Sequence, residues 1–422
     1  MRIAYISDYL ADYHLRAGGA DWACWRIGEL LNNKYFFIEY FTRFPDKKDK
    51  NKAKNIHFVP ITEDFFPLFI AKYLEVLKWY IWQIDPFALI YFLLKFLWQR
   101  PDIVHLHRFR SLTMSPLLAA RLLKIPVYFS VYDYWMFCVL ETLIDEKNLS
   151  CRRFHGLWCW KCTPKKFIFI QQGLLLFRKF IFNLGLYRIN RFVVLSTSSL
   201  NILTEYGIDK EKITIIPLSY DKKITENPRP ESPEENTLLY VGWIQKRKGL
   251  DILLKALAIV KSKISSVKLY IIGKEVIWEK QYRLYLEQII EENNLNDNII
   301  WLGQKSNDEV QKFIRKSEIV IVPEQWENMS PLIIGEAMFN YRPVIASCLG
   351  GIPDFVLDSK TGFLFEPRSI SDLAEKIIYL LKNKNIAIQM GDKARELAEK
   401  IFSEKTIINK YLDLYFKIKE KN

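Results

Sequence analysis

Long apolar runs are missing from this chain, and their absence narrows its class first. No stretch reaches the ~18 uninterrupted apolar residues of a membrane-spanning helix. Residues 87–98 come nearest, but Lys95 interrupts them and Asp85-Pro86 precedes them. The opening MRIAYIS carries one Arg and then a buried-strand pattern, without the apolar core and small-residue cleavage site of a secretion signal. The expected location is cytoplasmic, with any membrane contact made peripherally, on the inner face. Acid is also scarce: 48 Asp and Glu stand against 61 Lys and Arg, a net charge of +13. An anionic partner would match that balance, and so would a merely solvated basic surface. Nucleic acid is set aside, because no helix-turn-helix or single-strand module is recognisable. No G-x-G-x-x-G follows the first predicted strand, which removes the nicotinamide signal.

What is present is an alternation. At 422 residues, half of them hydrophobic, the chain can build two domains with packed cores. Strands are expected at 2–7, 36–41, 102–107, 127–131 and 192–195, with helical patterns between them and a helix at 20–31 behind Gly18-Gly19. Residues 222–236 (KKITENPRPESPEEN) break the pattern with charge and proline and read as a linker. A second series follows: strands at 237–242, 268–273, 299–303, 319–323 and 343–347, helices at 250–262 and 281–292, and a last amphipathic helix near 404–419. Strand alternating with helix implies parallel sheets. The expected architecture is α/β, with two Rossmann-like doubly wound halves and a ligand cleft at the carboxyl ends of the strands. The expected boundaries are 1–221, 222–236, 237–401 and a terminal helix, 402–422, that packs back on the first domain.

The densest pattern is VPEQWENMSPLIIGEAMFNYRPVIASCLGGIPDFVLDSKTGFLFEP, residues 322–367. Glu327 leaves a strand end, a helix begins near Pro331 and Leu332 and carries Glu336, and Thr361-Gly362 makes a turn. A carboxylate such as Glu336 can accept both hydroxyls of a ribose, and an ordinary solvated Glu is the alternative. This stretch resembles the donor-site signature of the family 4 glycosyltransferases of the GT-B fold: two glutamates with seven residues between, an Ala-Met run, a Pro-Val-Ile strand and a Gly-Gly-x-Pro turn. YVGWIQKRKGLDILLKAL, residues 240–257, is similar to that family's strand, basic loop and helix at the donor diphosphate. Gly18-Gly19 resembles its glycine turn.

The resemblance implies a retaining transferase with no cofactor required for catalysis. It would take a nucleotide-diphosphate sugar as donor and a glycan or lipid-linked acceptor, in surface polysaccharide or glycolipid assembly. Lys248, helped by Arg247, would hold the diphosphate and Glu336 the ribose, while Gly18-Gly19 approach the same phosphates. Three positions depart from the pattern. Counting back eight from Glu336 reaches Asn328, with Glu327 one residue earlier, so either could fill the first acidic position. Trp243 stands where the family has Arg, and Tyr132-Asp133 where a His-Asp pair is common. Tyr132, Asp133 and His107 are expected on the acceptor side, and His107 could equally be structural. A non-catalytic sugar- or partner-binding protein remains the alternative.

Cysteines number six. Cys138, Cys151, Cys159 and Cys162 cluster, and four thiolates could close a structural zinc site; reduced buried thiols are the alternative. Cys24 and Cys348 read as core. Residues 65–98, with Lys72, Lys78 and Lys95 among aromatics, are candidates for lying on a membrane surface. So are residues 165–191, with Lys166, Arg178 and Lys179 among Phe167, Phe169, Phe177, Phe180 and Phe182. Core packing explains part of the same pattern.

Overall fold

The structure is a computed structural model, described over residues 1–11, 13–14, 18–32, 34–45, 55–78, 83–147, 149–156, 159–162, 168–276 and 279–416. It divides into two compact units, residues 1–219 with 408–422, and residues 220–407.

The first unit holds seven parallel strands: β1 (Arg2–Ile6), β2 (Phe37–Thr42), β3 (Ile56–Phe58), β4 (Ile103–Leu106), β5 (Val127–Ser130), β6 (Arg191–Val194) and β7 (Ile213–Ile215), in the order β3-β2-β1-β4-β5-β6-β7. Ile3, Ala4, Tyr5 and Ile6 of β1 are all buried, as expected of a central parallel strand covered on both faces. The connection reverses direction at β1, so a topological switch point lies between β1 and β4. Helix Gly19–Leu31 starts after Gly18, whose N–H donates to the Asp21 carboxylate at 2.9 Å. Helix Pro86–Gln99 is capped by Asp85, which accepts the Ala88 N–H at 3.0 Å, with Pro86 in the first turn, where its missing donor costs nothing.

The closing helix, Glu404–Phe416, brings Tyr415 into this unit. Its hydroxyl lies 2.8 Å from the Tyr5 hydroxyl and 2.5 Å from Nδ1 of His105, and its ring stacks on Tyr128. All four residues are buried.

The second unit holds β8 (Thr237–Val241), β9 (Lys268–Ile272), β10 (Ile299–Gly303), β11 (Ile319–Val322), β12 (Val344–Ser347) and β13 (Gly362–Phe365), parallel and ordered β10-β9-β8-β11-β12-β13. Its switch point lies between β8 and β11. Leu238, Leu253, Leu257, Leu269, Ile321 and Ile377 share one core, and Leu239, Val320, Ile334, Val344 and Phe402 another. These two cores cover the two faces of the sheet.

Three short strands, β3, β7 and β13, were not anticipated. Gly362 opens β13 instead of lying within a turn, because Gly362–Phe365 pairs with Val344–Ser347. Residues 222–236 are not bare linker either. Asp221 caps a single helical turn, Lys222–Thr225, and Arg229–Asp392, Lys316–Glu234 and Lys384–Glu235 ion pairs lay the segment on the second unit.

Candidate functional site

The basic loop after β8 and the acidic loop after β11 interlock, because their strands are neighbours across the switch point. Lys248 Nζ lies 2.6 Å from Glu324 Oε1, and the Gln325 N–H donates to Arg247 O at 2.8 Å. The Arg247 guanidinium sits 4.4 Å from the centre of the Trp326 ring, with Lys248 Nζ at 5.6 Å; both cations thus lie against one indole ring. The other oxygen of Glu324 accepts from Trp326 Nε1 and, at 2.6 Å, from Asn328 Nδ2. Glu324 is buried and acts as the hub of this loop. Gly249 (φ +72°) allows the approach, since a Cβ there would lie 1.8 Å from Pro323 O.

Glu327 and Asn328 are placed side by side. Glu327 is buried, while Asn328 Oδ1 accepts the Ser330 N–H and Asn328 O accepts the Gly351 N–H at 2.8 Å. Gly350 (φ +61°) leans on the same stretch of backbone, where a Cβ would meet Asn328 O at 2.6 Å. Pro331 is buried at the start of helix Leu332–Phe339, which carries Leu332 and Glu336. Burial pushes the Glu336 carboxyl up to about 7, against a hydrogen bond from Gln311 that lowers it. The basic and acidic loops are thus brought together. Lys248 and Glu336 are not in contact: among the described residues no hydrogen bond or ion pair joins them. Trp243, at the position of the family's Arg, is half exposed.

In the first unit the β1–β4 switch point gathers a second constellation. His107 stacks on Tyr132 with ring centres 5.8 Å apart, and its Nδ1 lies 3.2 Å from the Tyr132 hydroxyl. Burial, then the neighbouring His105, holds His107 well below the usual imidazole range, so the ring stays neutral. Its Nε2 is buried with no hydrogen-bond partner among the described residues. Asp133 accepts the Trp135 N–H at 2.9 Å; burial and then Glu141 raise it to about 6, against Arg108 and Arg110. Arg108, which sequence reasoning missed, pairs at 3.2 Å with the fully buried Asp21 carboxylate beneath Gly18. Its only sequence signal was its place two residues beyond β4. Gly19 is exposed at the start of its helix.

Several expectations need correction. Arg178 and Phe182 are wholly buried, Arg178 against His155 and over the Phe182 ring, so neither can meet a membrane. Lys78 is buried too, bridging Glu63 and Asp85. Lys165, Lys166 and Phe167 lie outside the described residues. Cys24 is buried, but Cys348 is exposed at the carboxyl end of β12. Cys138, Cys151, Cys159 and Cys162 share one region, yet among the described residues no group of three or more His, Cys, Asp or Glu is arranged to hold a metal ion. Burial pushes the thiols of Cys159 and Cys162 up to about 11 and about 12. Structural zinc is therefore not supported. Among the described residues no helix is long and apolar enough to cross a membrane.

Comparison with known proteins reaches both halves of the chain. The model of the Glycosyltransferase Family 4 matches residues 17–223, and that of Glycosyl transferases group 1 matches residues 221–397. The poly(ribitol-phosphate) alpha-N-acetylglucosaminyltransferase of Staphylococcus aureus is 30% identical over 230 residues, 54% of this chain and 44% of that protein. The lipopolysaccharide 1,2-N-acetylglucosaminetransferase of Salmonella typhimurium is 26% identical over 230 residues, 52% of this chain and 60% of that one. The chain thus spans about half the length of these curated relatives. Among solved structures, Anabaena HepE in complex with UDP superposes with a TM-score of 0.71 at 14% identity, over 99% of this chain and 100% of that one; this likeness speaks to fold. Two parallel sheets of Rossmann order, each matched by its own family model, place the chain among the family 4 glycosyltransferases of the GT-B fold.

Proposed function

We propose that the chain transfers a sugar, with retained anomeric configuration, from a nucleotide-diphosphate sugar to a glycan or lipid-linked acceptor in polysaccharide or glycolipid assembly. The observation that carries this reading is the basic loop locked onto the acidic loop at the second unit's switch point, where open α/β sheets take their ligands. Lys248 and Arg247 meet the diphosphate and stabilise the charge that grows on it as the sugar departs. Glu336 takes the ribose hydroxyls, and Glu327 or Asn328 faces the donor sugar. His107, Tyr132 and Asp133 attend the acceptor, and no protein nucleophile is invoked. The two relatives support the direction, since one is a poly(ribitol-phosphate) and the other a lipopolysaccharide N-acetylglucosaminyltransferase.

Helix Pro86–Gln99 leaves Ile90, Leu94, Leu97 and Trp98 exposed, Trp98 at 89%. We assign this apolar stripe, with Lys95 beside it, to a lipid surface that presents the acceptor. The experiment is a thermal-shift series against nucleoside diphosphates and nucleotide sugars. At least one nucleotide should stabilise the protein, and Lys248→Ala and Glu336→Ala should each remove the shift. Equal shifts in wild type and both variants would put the nucleotide elsewhere. Product anomers read by NMR then test retention.

A further inference from the structure

Three helices lie side by side on one face of the first unit's sheet. Pro86–Gln99 stands between β3 and β4, Ser115–Leu122 between β4 and β5, and Ile168–Leu186 between β5 and β6. All three crossovers run the same way along the order β3-β2-β1-β4-β5-β6-β7, and right-handed crossovers of one sense share a face. The layer is packed. The first helix contacts the second, and a Cβ on Gly185 of the third would meet the side chains of Met114 and Leu117 at the second.

The inner side of this layer is buried, yet its outer side is apolar too. In Ile168–Leu186, Leu175, Arg178 and Phe182 are buried, while Phe177, Phe180 and Leu184 are exposed. Leu122 is exposed at the end of the second helix, beside the outward stripe of Pro86–Gln99. A helix that is apolar on both sides calls for an apolar neighbour on both, and exposed apolar area on this scale marks a contact surface. The charge on the layer has one sign. None of the three helices contains Asp or Glu, and the chain has neither from 147 to 204. The acids that border the helices in sequence are engaged: Asp85 with Lys78, Asp102 with the Arg2 N–H, Asp133 with the Trp135 N–H, Glu146 with Arg153 and Glu205 with Arg152. Lys95, Arg121 and Lys179 on the helices, and Arg100, Lys124 and Arg188 just after them, have no ion pair among the described residues. Arg121 and Arg188 are neighbours, since burial and then Arg188 hold the Arg121 guanidinium below its usual range. Two cations left side by side without a carboxylate are relieved by an anion.

We propose that this three-helix layer docks on an anionic phospholipid leaflet, its apolar side chains entering the headgroup region and its cations meeting lipid phosphates. The inference rests on the reading of Pro86–Gln99 as a lipid-facing helix; it widens that surface to the whole layer and adds the charge of the partner. A second copy of the chain does not fit, because self-pairing would set an all-cationic face against itself. Lys and Arg stems lie along apolar surface while their heads reach outward, and an anionic leaflet favours each such cation roughly fivefold.

The test is co-sedimentation of the full chain with phosphatidylcholine vesicles, with and without phosphatidylglycerol, at low and high salt. Vesicles with phosphatidylglycerol should bind about tenfold or more tighter, and high salt should remove most of the difference. Arg121→Gln with Arg188→Gln should weaken anionic binding about tenfold or more and leave phosphatidylcholine binding as it was. Phe180→Ser with Leu184→Ser should weaken both. The net charge of +13 is controlled by Lys382→Gln with Lys400→Gln, exposed lysines of the second unit, which should change binding about twofold at most. An equal loss in that control would mean that bulk charge draws the protein down, and would overturn the proposal. Equal binding to both vesicle types also overturns it while leaving the lipid-facing reading of Pro86–Gln99 standing; binding to neither sinks both. A dimer in solution that Phe180→Ser with Leu184→Ser splits would assign the face to a second copy instead. Thermal melts of the variants should match wild type; should Arg121→Gln melt early, Lys124→Gln with Arg188→Gln takes its place under the same expectation.

Discussion

Glu336 and His105 are both displaced from their ordinary titration ranges, and each makes a prediction of its own sign. A ribose hydroxyl donates to a carboxylate, and burial has raised Glu336 to about 7. Nucleotide affinity should therefore fall as pH drops through about 7, and Glu336→Gln should bind more weakly with a flatter profile; calorimetric titration at several pH values checks this. His105 is held down to about 3 by burial, against an ordinary value near 6.5. Between those values the unfolded chain binds the proton and the native state does not. Its contribution to stability is thus full above about 6.5 and declines as pH falls toward about 3, and a His105→Gln variant should show a shallower loss of urea stability on the acid side. Lys248→Ala should weaken nucleoside diphosphate binding by about 1.5–3 kcal/mol, the range for a hydrogen bond to a charged group. Lys248 and Glu336 were singled out by the resemblance of their loop and helix to the family's donor site. Glu324 was not, because its partner Lys248 stands 76 residues away and only the pairing order of β8 and β11 makes them neighbours.

Loops set the geometry of the second unit, and Gly249 is where two of them touch. Its positive φ and the 1.8 Å approach of a Cβ to Pro323 O leave no room for a side chain. Gly249→Ala should force the two loops apart, costing at least the ~1 kcal/mol of a left-handed non-glycine residue and abolishing the nucleotide-induced thermal shift. A shift equal to wild type would show that the two loops need not interlock. The long elements were legible for a simple reason: strands such as Ile319–Val322 and helices such as Leu250–Lys263 carry enough apolar residues to show a period. Ile56–Phe58 and Ile213–Ile215 span three residues each, too few for any alternation to appear. Gly362–Phe365 is marked as a strand only by its pairing with β12. Arg178 misled because a Phe- and Lys-rich helix reads as amphipathic whichever way its one buried cation points.

Across the whole chain, the architecture followed from the alternation of strands and helices. The polypeptide builds most of one unit, then the other, and then comes back to the first with Glu404–Phe416. Tyr415 meets Tyr5, His105 and Tyr128 there, all of them buried. Tyr415→Ala should cost about 3–5 kcal/mol, the range for removing a buried aromatic, and the loss should register in the unit that contains Tyr5; hydrogen exchange resolved by segment reports which unit loosens. If protection in β1 and β4 were unaffected, the returning helix would not be part of that unit's core.

That return route also sets an order of events during synthesis. Domains generally fold as they emerge, amino-terminal first. Here the sheet made earliest waits with an uncovered patch around Tyr5 and His105 until almost 200 further residues, Tyr220–Ile407, have been translated. The part begun first is the part finished last, so a ribosome stalled anywhere in the second unit would leave the first one open to aggregation and proteolysis.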